Sequence, residues 1–310
     1  MLVSLTEILQ LAEAKKCAVG SFNTPNLESI MAVIGAAEEL NVPVIIMHAE
    51  VHETMMPIDV IGPLMIARAK EAKVPVCVHL DHGETLAYAA KALNLGFTSV
   101  MFDGSALPYE ENVANTKIVV KLAHAKGASV EGEIGVLGKR ELGPGHDAIE
   151  NQPEEIYTDP EVAASFVAET GIDALACSFG TAHGIYLKAP KLDMTVLERV
   201  KSRVNIPLVM HGGSGVSDED YQKVIERGVR KINYYTYMAK AGGSGVENKL
   251  PFQEMPISYK GKAYRMTYLL QEKGNEIPVY YHDIVDWGMK AMKENALRAL
   301  RVFSKKAGSD

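Results

Sequence analysis

Two hydrophobic patterns alternate along the chain. Short unbroken apolar runs, such as Val44-Ile45-Ile46-Met47, Val100-Met101-Phe102 and Ala174-Leu175-Ala176-Cys177, are separated by longer segments whose apolar residues recur every three or four positions. The first pattern suits strands covered on both faces, the second amphipathic helices. The reading begins with a short helix over 6–16, placed to close the bottom of whatever follows, and then pairs each strand with a helix: 17–22 with 28–40, 43–47 with 58–72, 74–80 with 85–95, and 99–102 with 110–126. It continues with 129–134 and 160–170, 174–179 and 194–202, 207–210 and 218–228, and an eighth strand opening at Lys231. Residues 138–159 form a loop rich in Gly, Pro and charge, with the length of a lid or binding loop. A terminal helix over 286–303 carries Met289, Met292, Ala296, Leu300 and Phe303 on one stripe, which is ordinary core packing.

Strand–helix alternation of this kind predicts an α/β protein with a parallel sheet, and eight units favour closure into a (β/α)8 TIM barrel. An open doubly wound sheet would carry a Gly-rich phosphate loop after its first strand, but the chain reads Ser21-Phe22-Asn23-Thr24 there. The expectation is therefore a single barrel domain over 1–310, with a short N-terminal helix, an insertion at 237–281 after strand 8 and a C-terminal helix. Such a barrel places its site at the C-terminal ends of its strands.

Composition narrows the partners. With 32 Lys and Arg against 39 Asp and Glu, the net charge of −7 argues against general binding of nucleic acid or anionic membranes. No uninterrupted apolar run reaches the roughly 18 residues of a membrane span. The first residues, Met1-Leu2-Val3-Ser4-Leu5-Thr6-Glu7, lack the basic start and apolar core of a signal peptide. The 3 cysteines, Cys17, Cys77 and Cys177, stand far apart without a CxxC pair and read as reduced thiols. A cytoplasmic location is expected.

The candidate chemistry gathers at the strand ends. Strand three runs into Asp81, His82 and Gly83, strand four into Asp103, and strand five carries Glu131 and Glu133. Strand six leads to Gly180-Thr181-Ala182-His183-Gly184, strand seven to His211-Gly212-Gly213-Ser214-Gly215, and strand eight to Asn233. Asp81 and His82 cannot share a direction while their strand stays extended, so a turn at Gly83 is needed to bring both to one rim. Each residue alone has a plainer reading. Asp81 could cap the helix beginning near Glu84, Asp103 could be a turn aspartate, and Glu131 and Glu133 could form a charged layer inside the barrel. His79 is expected to point away from the site. Three histidines, His82, His183 and His211, at matching places in three units are harder to explain that way, and with carboxylates nearby they suggest a catalytic Zn²⁺ site. The small residues after His211 open a helix in this reading and leave backbone N–H groups free for a phosphate.

Taken together, the motifs H-L-D-H-G at 79–83, V-E-G-E-I-G at 130–135, G-T-A-H-G at 180–184, H-G-G-S-G at 211–215 and K-I-N-x-x-T at 231–236 resemble those of the class II, zinc-dependent ketose-bisphosphate aldolases. The resemblance implies reversible cleavage of a ketose 1-phosphate, such as fructose 1,6-bisphosphate, into dihydroxyacetone phosphate and an aldehyde. It implies that His82, His183 and His211 bind Zn²⁺, that Asp81 is the acid/base at the C4 hydroxyl, and that Glu141 exchanges the proton at the dihydroxyacetone phosphate carbon. Asp103 and Glu133 match an auxiliary metal position, and a monovalent cation is a further possibility. Asn23, Gly184, Gly212, Ser214, Asn233 and Thr236 match residues that hold the substrate's phosphate and hydroxyls. A homodimer or homotetramer acting on a small sugar phosphate is implied as well.

The chain departs from the family's pattern on the aldehyde side. A serine usual after strand two is replaced by His48-Ala49-Glu50, and an arginine usual near the last helix aligns with His282. Tyr235 stands where a small or acidic residue is usual, and Lys139 replaces a small one. His48, His52, Tyr235 and His282 are therefore candidates for an altered aldehyde pocket, with Arg265 or a lysine of the insertion as the alternative phosphate contact. Other functions open to the same barrel are those of a metal-dependent epimerase or hydrolase, and of a non-catalytic sugar-phosphate-binding protein.

Overall fold

A computed structural model of the protein describes residues 1–135, 157–184, 186, 190–250, 252–259, 262–269 and 279–306. After a short strand β1 (Leu2–Val3) and helix α1 (Leu5–Lys15) come β2 (Val19–Asn23), α2 (Leu27–Leu40), β3 (Val44–Ala49), a single 3-10 turn (Glu50–His52) and α3 (Ile58–Glu71). The middle of the chain holds β4 (Val76–Gly83), α4 (Leu86–Leu95), β5 (Ser99–Phe102), α5 (Tyr109–His124), β6 (Ser129–Ile134), α6 (Pro160–Thr170) and β7 (Ala174–Cys177). It ends with α7 (Met194–Arg203), β8 (Leu208–Met210), α8 (Asp218–Glu226), β9 (Val229–Asn233), α9 (Thr236–Glu247), the antiparallel pair β10 (Phe252–Tyr259) and β11 (Lys262–Leu269), and α10 (Tyr281–Phe303). Strands β2 to β9 are parallel, run in the spatial order β4-β3-β2-β9-β8-β7-β6-β5, and close where β5 returns to β4. This is the eight-stranded TIM barrel expected from the alternation. No described helix is long and apolar enough to cross a membrane.

Two-residue periodicity divides each strand between two cores. Val44, Ile46, Val76, Val78 and Leu80 face outward and pack under the helices, whereas Ile45, Met47, Cys77, Ala174, Ala176 and Val209 face inward. The inward set meets Leu5, Ile8, Leu9 and Ala12 of α1, which plugs the bottom of the barrel. A capping box of Ser4 and Glu7 starts α1, and Arg230 on β9 reaches Oε2 of Glu13 at 2.6 Å, so the plug is tied to the strand above it.

Higher in the barrel the same periodicity lines the interior with polar groups. Ser21, His79, Glu131 and Lys231 are fully buried, and Asn23, Asp81, Glu133 and Asn233 follow two residues later along their strands. His79 therefore does not face away from the site, as the sequence pattern suggests. It shares the strand face of Asp81, one layer lower, with Nδ1 2.7 Å from Ser99 Oγ.

The region after β9 departs most from expectation. The run Gly242-Gly243-Ser244-Gly245, placed by the sequence in the insertion at 237–281, lies inside helix α9. A Cβ on Gly245 would stand 2.4 Å from Cβ of Ala291, so the missing side chain is what lets α9 lie against α10. Helix α10 also begins at Tyr281 rather than at residue 286. Its first turn is largely exposed and adds nothing to the apolar stripe, so periodicity does not reveal it.

Candidate active site

The two neighbours at the end of β4 reach one rim through the backbone of His82. A register shift against β5 between Leu80 and Gly83 marks a bulge, and His82 sits at φ 42°, in the left-handed region. That conformation costs a non-glycine residue about 1–3 kcal/mol. Helping to hold it is the hydrogen bond between His82 Nδ1 and Oδ2 of Asp103, at 2.8 Å. Asp81 is not a helix cap, since the N-cap of α4 is Thr85, whose Oγ1 accepts from Tyr88 N at 3.1 Å. Its carboxylate is instead held on both oxygens, by Asn23 Nδ2 at 2.9 Å and Asn233 Nδ2 at 3.2 Å. Burial opposes ionisation of Asp81, but His82, His211, Lys231 and the Asn23 amide outweigh it and hold the carboxyl well below the usual range.

His82, His183 and His211 come together as the strand-end pattern anticipates. Their ring centroids lie 4.7 to 5.8 Å apart, and one nitrogen from each falls within 4.8 Å of the others. Nε2 of His82 faces Nδ1 of His211 at 3.0 Å, while the far nitrogens of both rings meet carboxylates: Asp103 for His82, and Glu131 Oε1, at 2.8 Å, for His211. With those nitrogens donating, the facing pair can share a cation, either a proton on His82 or a metal ion. His183 Nδ1 is buried without a hydrogen-bond partner among the described residues, as a waiting ligand would be. Burial and the neighbouring His82 push His183 down to about 3. His82 rises to about 10 against its burial because Asp81, Asp103 and Glu133 surround it. The donor set fits one divalent cation that would displace the proton of His82, with two of the three imidazoles backed by a carboxylate.

His82, Asp103 and Glu133 form a second group of potential ligands. Burial and the adjacent Asp103 raise the Glu133 carboxyl to about 8, and its Oε2 has no hydrogen-bond partner among the described residues. The two groups share His82.

Above these residues lies a cleft open to solvent. Asn23, Asp81, His82, His183, Gly184, Gly212, Ser214 and Asn233 all line it, together with His52 and Tyr235 from the expected aldehyde pocket. The loop after β8 is packed tightly enough to require glycine: Gly212 has φ 62°, and a Cβ there would sit 2.3 Å from the carbonyl oxygen of Ala182. This loop does not open a helix, because α8 starts only at Asp218 behind a Ser217 cap, with Asp218, Glu219 and Asp220 in its first turn. Those acidic residues disfavour an anion at that helix end. The helix end at the cleft is that of α9, where Tyr235 is the N-cap and Tyr235 N donates to Ser214 Oγ at 3.1 Å.

Three expected residues stand elsewhere in this chain. His48 is fully buried behind the cleft, with Nε2 3.1 Å from the Tyr88 hydroxyl. Thr236 begins α9 but does not line the cleft, and His282 is exposed on the first turn of α10, stacked on Tyr280. Glu141 and Lys139 fall outside the described residues, as do most of the loop over 138–159 and the side chain of Arg265. One contributor had no signal in the sequence: the Tyr186 hydroxyl accepts from Ala182 N at 2.7 Å and donates to Gly212 O at 3.0 Å, joining the loops after β7 and β8.

Residues 3–308 match the family described as fructose-bisphosphate aldolase class-II. The chain belongs to that family. It is 40% identical over 256 residues to the fructose-bisphosphate aldolase of Staphylococcus aureus, covering 80% of this chain and 86% of that one. Among solved structures, the YdjI aldolase of Escherichia coli K12 superposes with a TM-score of 0.79 at 32% identity, covering 98% of this chain and 97% of the other. The fructose-bisphosphate aldolase of Campylobacter jejuni superposes with a TM-score of 0.73 at 25% identity, covering 97% and 95%. As a member of this family the protein is an aldolase, an aldehyde-lyase acting on sugar phosphates.

Proposed function

We propose that this aldolase cleaves a ketose 1-phosphate to dihydroxyacetone phosphate and an aldehyde that carries no phosphate, with Zn²⁺ held by His82, His183 and His211. The carrying observation is the placement of Asp81, fixed on both oxygens by amides within 3.9 Å of the ring of His82. A divalent ion in the histidine cluster supplies Lewis-acid stabilisation of the charge that develops as the carbon–carbon bond breaks. Asp81 takes the proton of the C4 hydroxyl, the C3–C4 bond breaks, and C4 leaves as the aldehyde carbon. The electron pair stays with the dihydroxyacetone phosphate half and is quenched by a proton at C3, the role proposed for Glu141. Backbone N–H groups of the loop after β8, Ser214 and the start of α9 are suited to the phosphate, in the manner of barrel phosphate sites. Glu133 and Asp103 are suited to an auxiliary ion.

The reading of the aldehyde half rests on charge. Among the described residues that line the cleft there is no Lys or Arg, and Ala49, Val51, His52, Glu84 and Tyr235 are present. Among those described residues, a second phosphate dianion facing Glu84 would find no cation to meet it.

The test is dihydroxyacetone phosphate release from a panel of ketose 1-phosphates and from fructose and tagatose 1,6-bisphosphates. Release should cease with chelator, return with Zn²⁺, and be fastest for a ketose 1-phosphate. Strong preference for a bisphosphate would overturn the aldehyde assignment, and activity indifferent to chelation would overturn the metal.

A further inference from the structure

Lys231 has no part in the chemistry above, yet its ammonium is fully buried at the centre of the barrel. Burying a cation is costly, and an ion pair kept for stability alone can commonly be replaced by apolar packing. Its contacts lead to both halves of the site. Nζ lies 2.9 Å from Glu131 Oε2 in an ion pair, and it donates to Asn233 Oδ1 at 2.7 Å. Through Oε1, Glu131 accepts from His211 Nε2 at 2.8 Å, which leaves Nδ1 of His211 facing the cluster. Because Asn233 Oδ1 is committed to Lys231, the amide must turn Nδ2 toward Asp81 Oδ1, 3.2 Å away. A rotated amide would set its oxygen against the carboxylate.

We propose that Lys231 is a positioning residue that fixes two things with one ammonium: the metal-facing nitrogen of His211, through Glu131, and the donor side of Asn233 toward Asp81. It touches neither metal nor substrate and acts through its two partners. The inference rests on the proposed roles of His211 and Asp81.

The test uses the double variant Lys231→Met/Glu131→Gln, which removes both buried charges at similar volume and keeps an acceptor for His211. Thermal unfolding of the metal-free protein reports its fold. Zn²⁺ affinity is measured by chelator competition on that protein. Turnover is measured at saturating Zn²⁺ with the ketose phosphate of the panel that the wild type cleaves fastest. The double variant should bind Zn²⁺ about 10–100-fold more weakly, the usual range for residues behind metal ligands. Its kcat at saturating Zn²⁺ should fall about 10-fold or more with KM little changed, because the loss is in the transition state. A folded double variant with wild-type Zn²⁺ affinity or wild-type kcat overturns the proposal, since Lys231 would then only balance the charge of Glu131 or serve one arm. Should the double variant not fold, Lys231→Arg takes its place, keeping the charge but not the compact donor. The same losses are then expected, and wild-type Zn²⁺ affinity or wild-type kcat in that variant likewise overturns the proposal. A wild type that neither binds Zn²⁺ nor releases dihydroxyacetone phosphate refutes the proposed function instead, which is a separate result.

Discussion

On one wall of the cleft, Asp81 is gripped by amides from β2 and β9, and His82 and His211 each meet a buried carboxylate. On a second wall, His52 and Tyr235 meet ring against ring, with centroids 5.5 Å apart, and Nδ1 of His52 is buried with no hydrogen-bond partner among the described residues. On the first wall the Asp81 carboxylate and the far nitrogens of His82 and His211 are held before anything binds, and the unmet atoms, His183 Nδ1 and Glu133 Oε2, are ones a cation would meet. The second keeps polar capacity in reserve, and an unmet buried polar atom costs about 1–3 kcal/mol until something meets it. On the proposed function, the chemistry belongs to the wall whose groups are already held by one another, and selectivity to the wall that carries His52 and Tyr235.

The sharpest way to break that division is Asp81→Ala. Loss of a positioned proton carrier should lower kcat by about 10²–10⁴-fold. Zn²⁺ content, read by metal analysis, should stay at the wild-type level because the three histidines are untouched. Turnover that survives the substitution would place the proton transfer elsewhere. Next in size is Gly212→Ala. Its left-handed φ of 62° and the 2.3 Å approach to Ala182 O should cost on the order of 1–3 kcal/mol in urea unfolding. KM for the ketose phosphate should rise as the loop after β8 is displaced; an unchanged KM would remove that loop from the phosphate site.

How much of this was legible beforehand differs between the same regions. The eight units are legible because a parallel strand covered on both faces must be apolar, and the histidines because they recur at equivalent strand ends. The bulge at His82 is not, since extended backbone forbids the geometry that Asp81 and His82 adopt, and only pairing with β5 reveals the register shift. Nor is the contact of Lys231 with Glu131, which crosses the barrel between distant positions. Helix α9 is hidden by glycines that disfavour a helix by themselves and here serve close packing on α10. At the second wall, His48 and His52 are near in sequence and look equivalent, but the turn after β3 brings His52 to the cleft and leaves His48 behind it.

Because His52 lines the cleft but is not one of the three clustered histidines, His52→Phe should leave Zn²⁺ content intact and kcat for the best substrate within a few-fold. It should change the ratio of kcat/KM between two aldehyde halves by about 10-fold, the scale of one altered pocket contact. An unchanged ratio across the panel would remove this wall from specificity.

The smallest effect separates His48 from His52 and appears as a slope in stability against pH. Burial and the neighbouring His52 hold His48 down to about 4 from an ordinary 6.5, against the pull of Glu53 and Asp81, with Lys91 opposing protonation and Tyr88 bonded to its Nε2. Above pH 6.5 both folded and unfolded chains carry His48 neutral, so its full contribution to stability is present. As the pH falls from 6.5 toward 4 the unfolded chain takes the proton first, and stability is lost across that window. His48→Asn removes this contribution and leaves the others in place. Urea unfolding stepped through the window should therefore show the variant losing less stability than the wild type over the same fall in pH. Parallel curves would mean that His48 is solvated in the folded protein, and that the support behind the second wall is as open as the wall itself.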